Sequence, residues 1–486
     1  MDEKFLAMDF KFNASEDEVV YNPEIIEHAF VDVGNILKLI HEPSKFIIIG
    51  AKGSGKTSLA VKLERDSSYH TFAVRNSLYD YEYNLLKKIG GSSKHNVGTI
   101  ITAWELLFIL SILPILKKDQ KFVYENPEYS RTIREMEKYG IVQSPAITSI
   151  TRNIARRGVF AELKKAIFLG YEATNQSEMR IKDTAALLDA LKKLLSEYKY
   201  NNNRYYLILD NVDYILKKGV KYTEYIYDLI EATRSINVFF TNLRSNIKVI
   251  LLLRTEILDR IHGPNSAKAL HNNSIILNWY QDTNNPFNND LFKVIEKRAY
   301  LVGYTEDIKS LWQYWFPKTI DRSTSYKYIL KHTRLLPRDL VVMFSSLQSA
   351  YINSNRSSTQ SPLLNRPIIL NALRLYSDNF STEIFDSIAG LVRKSIRGEI
   401  AAILERLGKE FSYNYIEAIV QEYDPKCSPR NFARILYDVS CIGHKWHDPK
   451  SKKNRYTFKY RKRFSRFDER KKIIIHPGLW KALNMI

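Results

Sequence analysis

Short runs of apolar residues recur along the chain and predict buried β-strands. The runs cover residues 46–49, 72–74, 205–209, 249–253 and 275–277. Stretches in which apolar residues return every three or four positions separate these runs and predict helices. Because apolar strands that alternate with helices indicate a parallel sheet covered on both faces, the pattern predicts an α/β core.

Residues 77–200 interrupt this alternation with a long, mostly helical pattern. The stretch is too long for a simple crossover between strands, so we interpret it as a helical insertion. Its most apolar part, residues 106–116, has only about half of the ~20 residues that a membrane span needs, which favours a buried helix. A basic stretch with Arg152, Arg156 and Arg157 is typical of a solvated helix face, and contact with nucleic acid is the alternative.

The pattern changes again near residue 386. Three short amphipathic segments follow, and the third begins at Ser428 and Pro429, a pair typical of a helix start. The alternating residues 455–461 and the apolar run 472–476 then predict a β-hairpin, so that three helices and a hairpin indicate a winged helix. The predicted domains are an α/β core at 1–285 with the helical insertion at about 77–200, a helical lid at 286–385 and a basic winged-helix domain at 386–486.

Positive charge is concentrated near the end of the chain. The 486 residues carry a formal net charge of +20. Residues 441–486 contain 14 Lys and Arg against three Asp and Glu, a local net charge of +11. Such an excess suits a polyanion, because neutralising phosphates releases bound counterions. DNA is therefore the predicted partner, and a lysine-rich proteome or plain solubility is the alternative explanation.

The predicted winged helix supplies candidate residues for DNA contact. Its helix at 429–439 would enter the major groove with Arg430 and Arg434, while the wing would straddle the phosphate backbone. The basic residues expected at the tip of the wing are Arg461, Lys462, Arg463 and Arg466. The alternatives are a solvated charged hairpin and a winged helix that packs on the α/β core of its own chain.

Other classes of site lack the residues that they need. Cys427 and Cys441 are the only cysteines, too few for a disulfide framework or a four-thiolate zinc site. His444 and His447 have a helical spacing, but the segment looks irregular and no cysteine or carboxylate cluster completes a metal site. The N-terminus lacks the basic start and apolar run of a signal peptide, so we expect a cytoplasmic protein.

The most specific motif begins at Gly50 and fits G-x-x-x-x-G-K-[ST] at every fixed position. It lies between a predicted strand and a predicted helix, the context in which backbone N–H groups and a helix N-terminus bind phosphates. Lys56 is expected to reach the β- and γ-phosphates of ATP, and the Thr57 hydroxyl is expected to bind Mg²⁺. The predicted phosphate-binding residues are Gly50, Lys52, Gly53, Ser54, Gly55, Lys56, Thr57 and Ser58.

Asp210 follows the apolar run 205–209, as the acidic residue of a Walker B strand does, and we expect it to hold Mg²⁺ together with Thr57. Many P-loop ATPases place Glu next, but this chain has Asn211, which cannot act as a general base. Asp213 or Glu256 is the candidate substitute. Otherwise hydrolysis is slow, and the protein behaves as a nucleotide-gated switch.

Arginines after the predicted strands are candidates for sensing the γ-phosphate. Arg254 ends an apolar run, where a plain surface arginine is the alternative. Arg338 opens a later helix, from which a cation could couple nucleotide binding to domain closure. The alternatives are local pairing of Arg338 with Asp339, Arg334 as a rival, and Arg298 as an arginine finger in trans.

These segments together resemble a family of prokaryotic P-loop ATPases. The resemblance rests on Gly50–Thr57, Leu207–Asp210, residues 251–256 and the Leu-Pro-Arg at 336–338. The group is similar to the STAND and origin-recognition branches of the AAA+ class, and residues 474–480 resemble its winged-helix tail. The resemblance implies ATP and Mg²⁺ as cofactors and a role in mobile elements or antiphage defence. The insertion at 77–200 has no counterpart in it.

The first functional hypothesis is an ATPase that couples its nucleotide state to DNA binding through the winged helix. The alternative is a STAND-like signalling switch, in which ATP drives homo-oligomerisation and a protein partner is bound. A small-molecule kinase that uses the same loop is a third hypothesis, although no acceptor site is evident in the sequence.

Overall fold

The computed structural model divides into two compact units. The sheet unit comprises Asn35–Gly50 and Lys56–Leu277, and the helical unit comprises Met1–Gly34, Ala51–Gly55 and Asn278–Ile486. Residues 1–34, which the sequence pattern assigned to the core, thus group with the C-terminal half. The structure describes residues 2–11, 15–66, 70–79, 81–83, 86, 89, 97–138, 145–155, 184–212, 223–258, 266–354, 361–448, 453–462 and 465–485.

Five parallel strands form the sheet of the sheet unit. The strands are β1 (Ile47–Gly50), β2 (Thr71–Ser77), β3 (Arg204–Asp210), β4 (Ile247–Arg254) and β5 (Ser274–Ile276). They lie in the order β2-β3-β4-β1-β5 and pair in parallel throughout. The predicted α/β core and its strands are therefore confirmed. Strand β4 lies between β1 and β3. Because these strands are parallel, their three carboxyl ends lie at one edge of the sheet.

The described residues of the sheet unit also form ten helices. They are Ile36–Leu39, Lys56–Arg65, Val97–Leu116, Gln120–Glu125, Pro127–Lys138, Ile147–Ala155, Thr184–Glu197, Thr223–Asn242, Thr255–Leu258 and Ser266–Asn273. The described part of the predicted insertion is thus helical. Arg152 forms an ion pair with Glu82 at 2.7 Å, and Arg156 and Arg157 lie outside the described residues.

The apolar helix Val97–Leu116 forms much of the core. It packs against Thr184–Glu197, Thr223–Asn242 and β3. Its side chains from Ala103 to Leu110 are buried, and Trp104 stacks on Phe108 at a centroid distance of 5.9 Å. The prediction of a buried helix is therefore confirmed. In the described part of the chain, no helix combines the length and the apolar character that crossing a membrane requires.

The helical unit has three helices near the N-terminus and six between residues 290 and 397 among its described residues. They are Glu3–Ala7, Ser15–Tyr21, Pro23–His28, Asp290–Leu301, Ile308–Trp315, Ser325–Leu330, Pro337–Ile352, Arg366–Ala389 and Lys394–Arg397. A two-residue hairpin, β6 (Thr319–Ile320) with β7 (Ser323–Thr324), interrupts the series. The prediction of helices from residue 286 to about 385 is confirmed, apart from this hairpin.

Aromatic contacts anchor the N-terminal helices in the helical unit. The Phe5 ring lies 5.7 Å from Trp315, and the Phe10 ring lies 5.3 Å from Phe344. Arg298 is buried and forms an ion pair with Glu18 at 2.5 Å. A guanidinium that is held inside its own chain does not suit an arginine finger, which has to reach another molecule.

The C-terminal segment (residues 400–485) combines three helices with an antiparallel sheet. The helices are Ile400–Leu407, Tyr413–Tyr423 and Pro429–Asp438, as predicted, and Ser428 Oγ accepts from Asn431 N to cap the third. The strands are β8 (Glu410–Phe411), β9 (Ile442–Asp448), β10 (Lys453–Thr457) and β11 (Lys472–Ile475), in the order β10-β9-β11-β8.

The predicted hairpin between residues 455–461 and 472–476 is wrong, because β9 lies between these two strands and pairs with both. The sequence pattern missed β9 because a histidine occupies one of its buried positions. His444 is buried, and its Nε2 accepts a hydrogen bond from Asp468 N at 3.1 Å. His444 and His447 therefore lie in a strand and do not have helical spacing.

One helix joins the helical and C-terminal parts of this unit. Ser377, on Arg366–Ala389, donates its hydroxyl to Gly478 O at 2.6 Å and accepts from Ala482 N at 2.9 Å. The neighbouring Phe380 ring stacks on His476 at 5.0 Å. Burial and the charge of Arg334 lower the pKa of His476 well below its usual value, so a neutral ring fills this seam.

Replacing Gly478 with alanine should open the seam. The new Cβ would lie 2.5 Å from the His332 carbonyl oxygen and 2.9 Å from the Phe380 ring. Overpacking of this kind costs about 1–3 kcal/mol, so we expect Gly478→Ala to lower the thermal unfolding temperature by several degrees. Gly398→Ala is the matched control, since its Cβ meets open space. Equal unfolding temperatures in both variants would contradict the close packing.

Candidate functional site

A glycine-rich loop (residues 50–57) connects β1 to the helix Lys56–Arg65. Gly53 and Gly55 both have a φ of 85°, a conformation that residues with side chains rarely adopt. The loop therefore needs glycine at these two positions. Lys56 is largely buried in the sheet unit, and its Nζ donates to Gly50 O at 2.8 Å.

Thr57 and Asp210 meet at the carboxyl edge of the sheet. Thr57 Oγ1 donates to Asp210 Oδ2 at 2.9 Å, although 153 residues separate the two along the chain. Asp210 is only 3% exposed, at the end of β3. A hydroxyl and a carboxylate supply the oxygen ligands that Mg²⁺ prefers, and such sites keep other positions for phosphates and water. The two predicted Mg²⁺ ligands are therefore adjacent and chemically suited to that ion.

Two further groups hold the Asp210 carboxylate in place. Asn211 N donates to Asp210 Oδ1 at 2.8 Å, and Arg75 Nη1 lies 3.6 Å from Asp210 Oδ2. Arg75 was not predicted, because it lies on β2 and only the strand order brings it to this edge. Its place near the end of the strand, two residues before Ser77, was the signal available in the sequence.

Asn211 follows Asp210, and its Nδ2 donates to Ser77 Oγ at 3.0 Å, which holds the side chain towards the end of β2. Its φ of 57° lies in the left-handed region that asparagine tolerates better than most residues. The local conformation thus suits an asparagine that turns the chain after β3. Asp213, one predicted substitute for the missing glutamate, lies outside the described residues.

Glu256, the other predicted substitute, begins the helix that follows β4. Its Oε2 is buried and makes no hydrogen bond to any described residue. Two residues earlier, Arg254 pairs in register with Gly50, so the end of β4 runs directly beside the start of the glycine-rich loop. A carboxylate oxygen with spare acceptor capacity therefore lies in the first turn after β4, the strand between β1 and β3.

Within the helical unit, two donors bind the carbonyls of loop residues 51–55. Trp279 Nε1 donates to Ser54 O at 2.9 Å, and Arg338 N donates to Gly53 O at 3.4 Å. A trans peptide points its C=O and N–H to opposite sides, so the bond at Ser54 O turns the N–H of Gly55 away from Trp279. Trp279 was not predicted as a site residue, since only the fold shows which backbone its indole reaches.

Arg338 packs tightly on this loop. A Cβ built on Gly53 would lie 3.0 Å from Arg338 Cβ. The close approach of Arg338 is therefore a second reason, beside the positive φ, why glycine suits this position. Asp339, the alternative partner considered for Arg338, forms an ion pair with Arg334 Nη2 at 2.6 Å. Arg338 instead forms an ion pair with Glu383 at 3.5 Å. The structure thus separates the two rival arginines, since Arg334 is buried beside Asp339 while Arg338 lies against the loop.

The candidate groove-facing arginines lie on the exposed face of the helix Pro429–Asp438. The side chains of Arg430 and Arg434 are 78% and 59% exposed. Each has an acidic neighbour, since Arg430 lies 2.6 Å from Glu469 and Arg434 lies 3.9 Å from Asp438. DNA phosphates would have to compete with these carboxylates.

The predicted position of the wing tip is wrong. Arg461, Lys462 and Arg466 are exposed but lie in the connection from β10 to β11, and these two strands are not paired with each other, because β9 lies between them. Arg463 and the turn residues 449–452 lie outside the described residues. The β9–β10 pair instead exposes aromatic rings that were not predicted, with Trp446 43% and Tyr456 44% accessible.

Comparison with known proteins identifies one part of the helical unit. A family model described as the FunZ-associated C-terminal helical domain matches residues 289–384. The match begins one residue before the helix Asp290–Leu301 and ends inside Arg366–Ala389, so it includes Arg334, Arg338 and Glu383. No curated protein matches the chain.

Proposed function

We propose that the protein is a P-loop ATPase that binds a Mg²⁺–nucleoside triphosphate at the glycine-rich loop. The hydrogen bond from Thr57 to Asp210 carries this proposal, because it joins a loop hydroxyl to a strand-end carboxylate at a helix N-terminus. Lys52, Ser54 and Ser58 complete the loop around the phosphates. Thr57 and Asp210 would hold Mg²⁺, which would supply charge neutralisation for the phosphates.

Lys56 and Arg254 are the cations assigned to the phosphates. Lys56 Nζ donates to Gly50 O at 2.8 Å, which places the ammonium group beside the start of the glycine-rich loop, where its positive charge suits a phosphate. Arg254 lies beside Gly50 at the end of β4, and this position suits a group that senses the γ-phosphate. Glu256 is assigned the role of general base, because its buried Oε2 has acceptor capacity for the proton of an attacking water.

Removing the Lys56 amine should weaken nucleotide binding. A hydrogen bond to a charged group contributes about 1.5–3 kcal/mol, so we expect Lys56→Ala to weaken Mg²⁺–ATP binding by about 10- to 100-fold. Isothermal titration calorimetry with ATP and GTP, each with and without Mg²⁺, measures this. Lys62→Ala, on the same helix, is the control and should bind as the wild type does. Absence of Lys56-dependent binding of either nucleotide would refute the proposal.

Replacing Glu256 with glutamine should separate binding from turnover. General-base catalysis contributes about 10²- to 10⁴-fold, so we expect Glu256→Gln to lose that much turnover and to keep its ATP affinity. Phosphate release is the measurement. Glu231→Gln is a matched control, because Glu231 Oε1 is also buried without a hydrogen bond, but on the helix Thr223–Asn242. Unchanged turnover in Glu256→Gln would eliminate Glu256 as the base.

We also propose that the C-terminal segment is a winged helix that binds duplex DNA. The support is the exposed Arg430–Arg434 face together with the local charge of +11. Exposed Trp446 and Tyr456 on the β9–β10 wing add rings that can pack on sugars or bases. Nucleotide binding would then alter how this segment meets DNA.

The double variant Arg430→Ala/Arg434→Ala should reduce both DNA affinity and its salt dependence. Each lost phosphate contact lowers the slope of log affinity against log salt by about 0.9, so we expect a decrease of about 2. Fluorescence anisotropy with a labelled duplex over a salt series measures it. Arg406→Ala is the control, because Arg406 is an exposed arginine paired with Glu422 on another helix of the segment. ATP-dependent oligomers without DNA binding would favour the signalling switch.

A further inference from the structure

A cluster of buried charges lies behind the glycine-rich loop, inside the helical unit. Glu383, on the helix Arg366–Ala389, lies 3.1 Å from Arg334 Nη2 and 3.5 Å from Arg338 Nη1. Its side chain is mostly buried. A carboxylate in such a place is stabilised only by the cations around it, because leaving water is costly for an isolated charge.

Glu383 keeps its negative charge in this place. Burial alone would raise its pKa, but Arg334, Arg338 and Lys52 outweigh burial and lower the pKa below its usual value. Lys52 belongs to the glycine-rich loop, and Arg338 packs on Gly53 of the same loop. One buried carboxylate therefore faces two cations that border the proposed phosphate site.

The contacts of Glu383 with its two arginines are unequal. Arg334 has a stronger partner in Asp339, which accepts from Arg334 Nη2 at 2.6 Å, from Nε at 3.1 Å and from the backbone N at 2.6 Å. Glu383 Oε1, the oxygen that faces Arg338, makes no hydrogen bond to a described residue. The Arg338 contact is thus a longer ion pair that can be exchanged, whereas Arg334 stays neutralised by Asp339.

We propose that Glu383 is a positioning residue that competes with the terminal phosphate of a bound triphosphate for Arg338 and Lys52. The inference rests on the proposed nucleotide function. When a triphosphate binds, its additional negative charge attracts the two cations away from Glu383. A diphosphate lacks that group and attracts them less, so Glu383 sets the preference of the site between the two nucleotides.

The decisive variant is Glu383→Gln, which removes the competing charge and keeps the size of the side chain. We expect it to bind a non-hydrolysable ATP analogue about fivefold more tightly, while its affinity for ADP changes by less than about twofold. Calorimetry with Mg²⁺ measures both affinities. A general structural defect would change both in the same direction, so the ratio of the two affinities identifies the charge effect.

A double-mutant cycle tests whether the effect passes through Arg338. In an Arg338→Ala background, Glu383→Gln should tighten binding of the analogue far less, because the arginine for which Glu383 and the phosphate compete is gone. Glu410→Gln is the matched control, since Glu410 also binds two cations, Lys445 and Lys472, on the sheet of the C-terminal segment. It should leave both affinities unchanged.

The outcomes separate the two proposals. Wild-type protein without Lys56-dependent binding would overturn the proposed function and this inference together. Lys56-dependent binding with an unchanged or weakened affinity of Glu383→Gln for the analogue would overturn only the role of Glu383. If Glu383→Gln does not fold, Glu383→Asp decides, because withdrawing the carboxylate by one methylene should tighten binding of the analogue about twofold. No change in that variant would also overturn the inference.

Discussion

The carbonyl oxygens of Gly53 and Ser54 are both occupied by donors from residues 278–486, and the conformation of the glycine-rich loop depends on these two bonds. Gly53 and Gly55 take a φ of 85° to make them, and Arg338 approaches so closely that no Cβ fits at Gly53 without displacement. Since each trans peptide points its two polar groups in opposite directions, binding the carbonyl from one side fixes where the next N–H points. The helical unit therefore shapes the backbone of the proposed phosphate site.

The parts of this arrangement that sequence predicts are those set by local residues. The run Ile47–Gly50, the glycine spacing and the helix Lys56–Arg65 are specified within about 20 residues, and the structure has them where the pattern places them. The pairing of Asp210 with Thr57 was also predictable, because a parallel sheet brings the carboxyl ends of its strands to one edge. Both inferences need only the period of the apolar residues and the positions of glycine.

The parts that sequence did not predict depend on contacts between distant segments. Trp279, Arg75 and Glu383 are ordinary residues of a loop, a strand and a helix, and nothing next to them in sequence indicates which groups they meet. Strand β9 was missed for a different reason, because the buried His444 breaks the apolar alternation by which strands are found. Adjacency in sequence made Arg338 the alternative partner of Asp339, while the fold brings Arg334 to the carboxylate.

The helix Arg366–Ala389 connects the loop contacts to the C-terminal segment. Glu383 forms an ion pair with Arg338. Phe380 and Ser377, about 5 and 9 Å from Glu383 along the same helix, contact His476 and Gly478. Transmission along a rigid element requires two arrangements of that element. Arg334 is paired with Asp339 as well as with Glu383. If Arg338 left Glu383, as the proposed competition requires, Arg334 would therefore still be neutralised beside this end of Arg366–Ala389. Under the proposed competition, loss of the Arg338 contact would therefore leave the Ser377 hydrogen bonds to Gly478 and Ala482 in place, so the helix would not have to detach from the C-terminal segment.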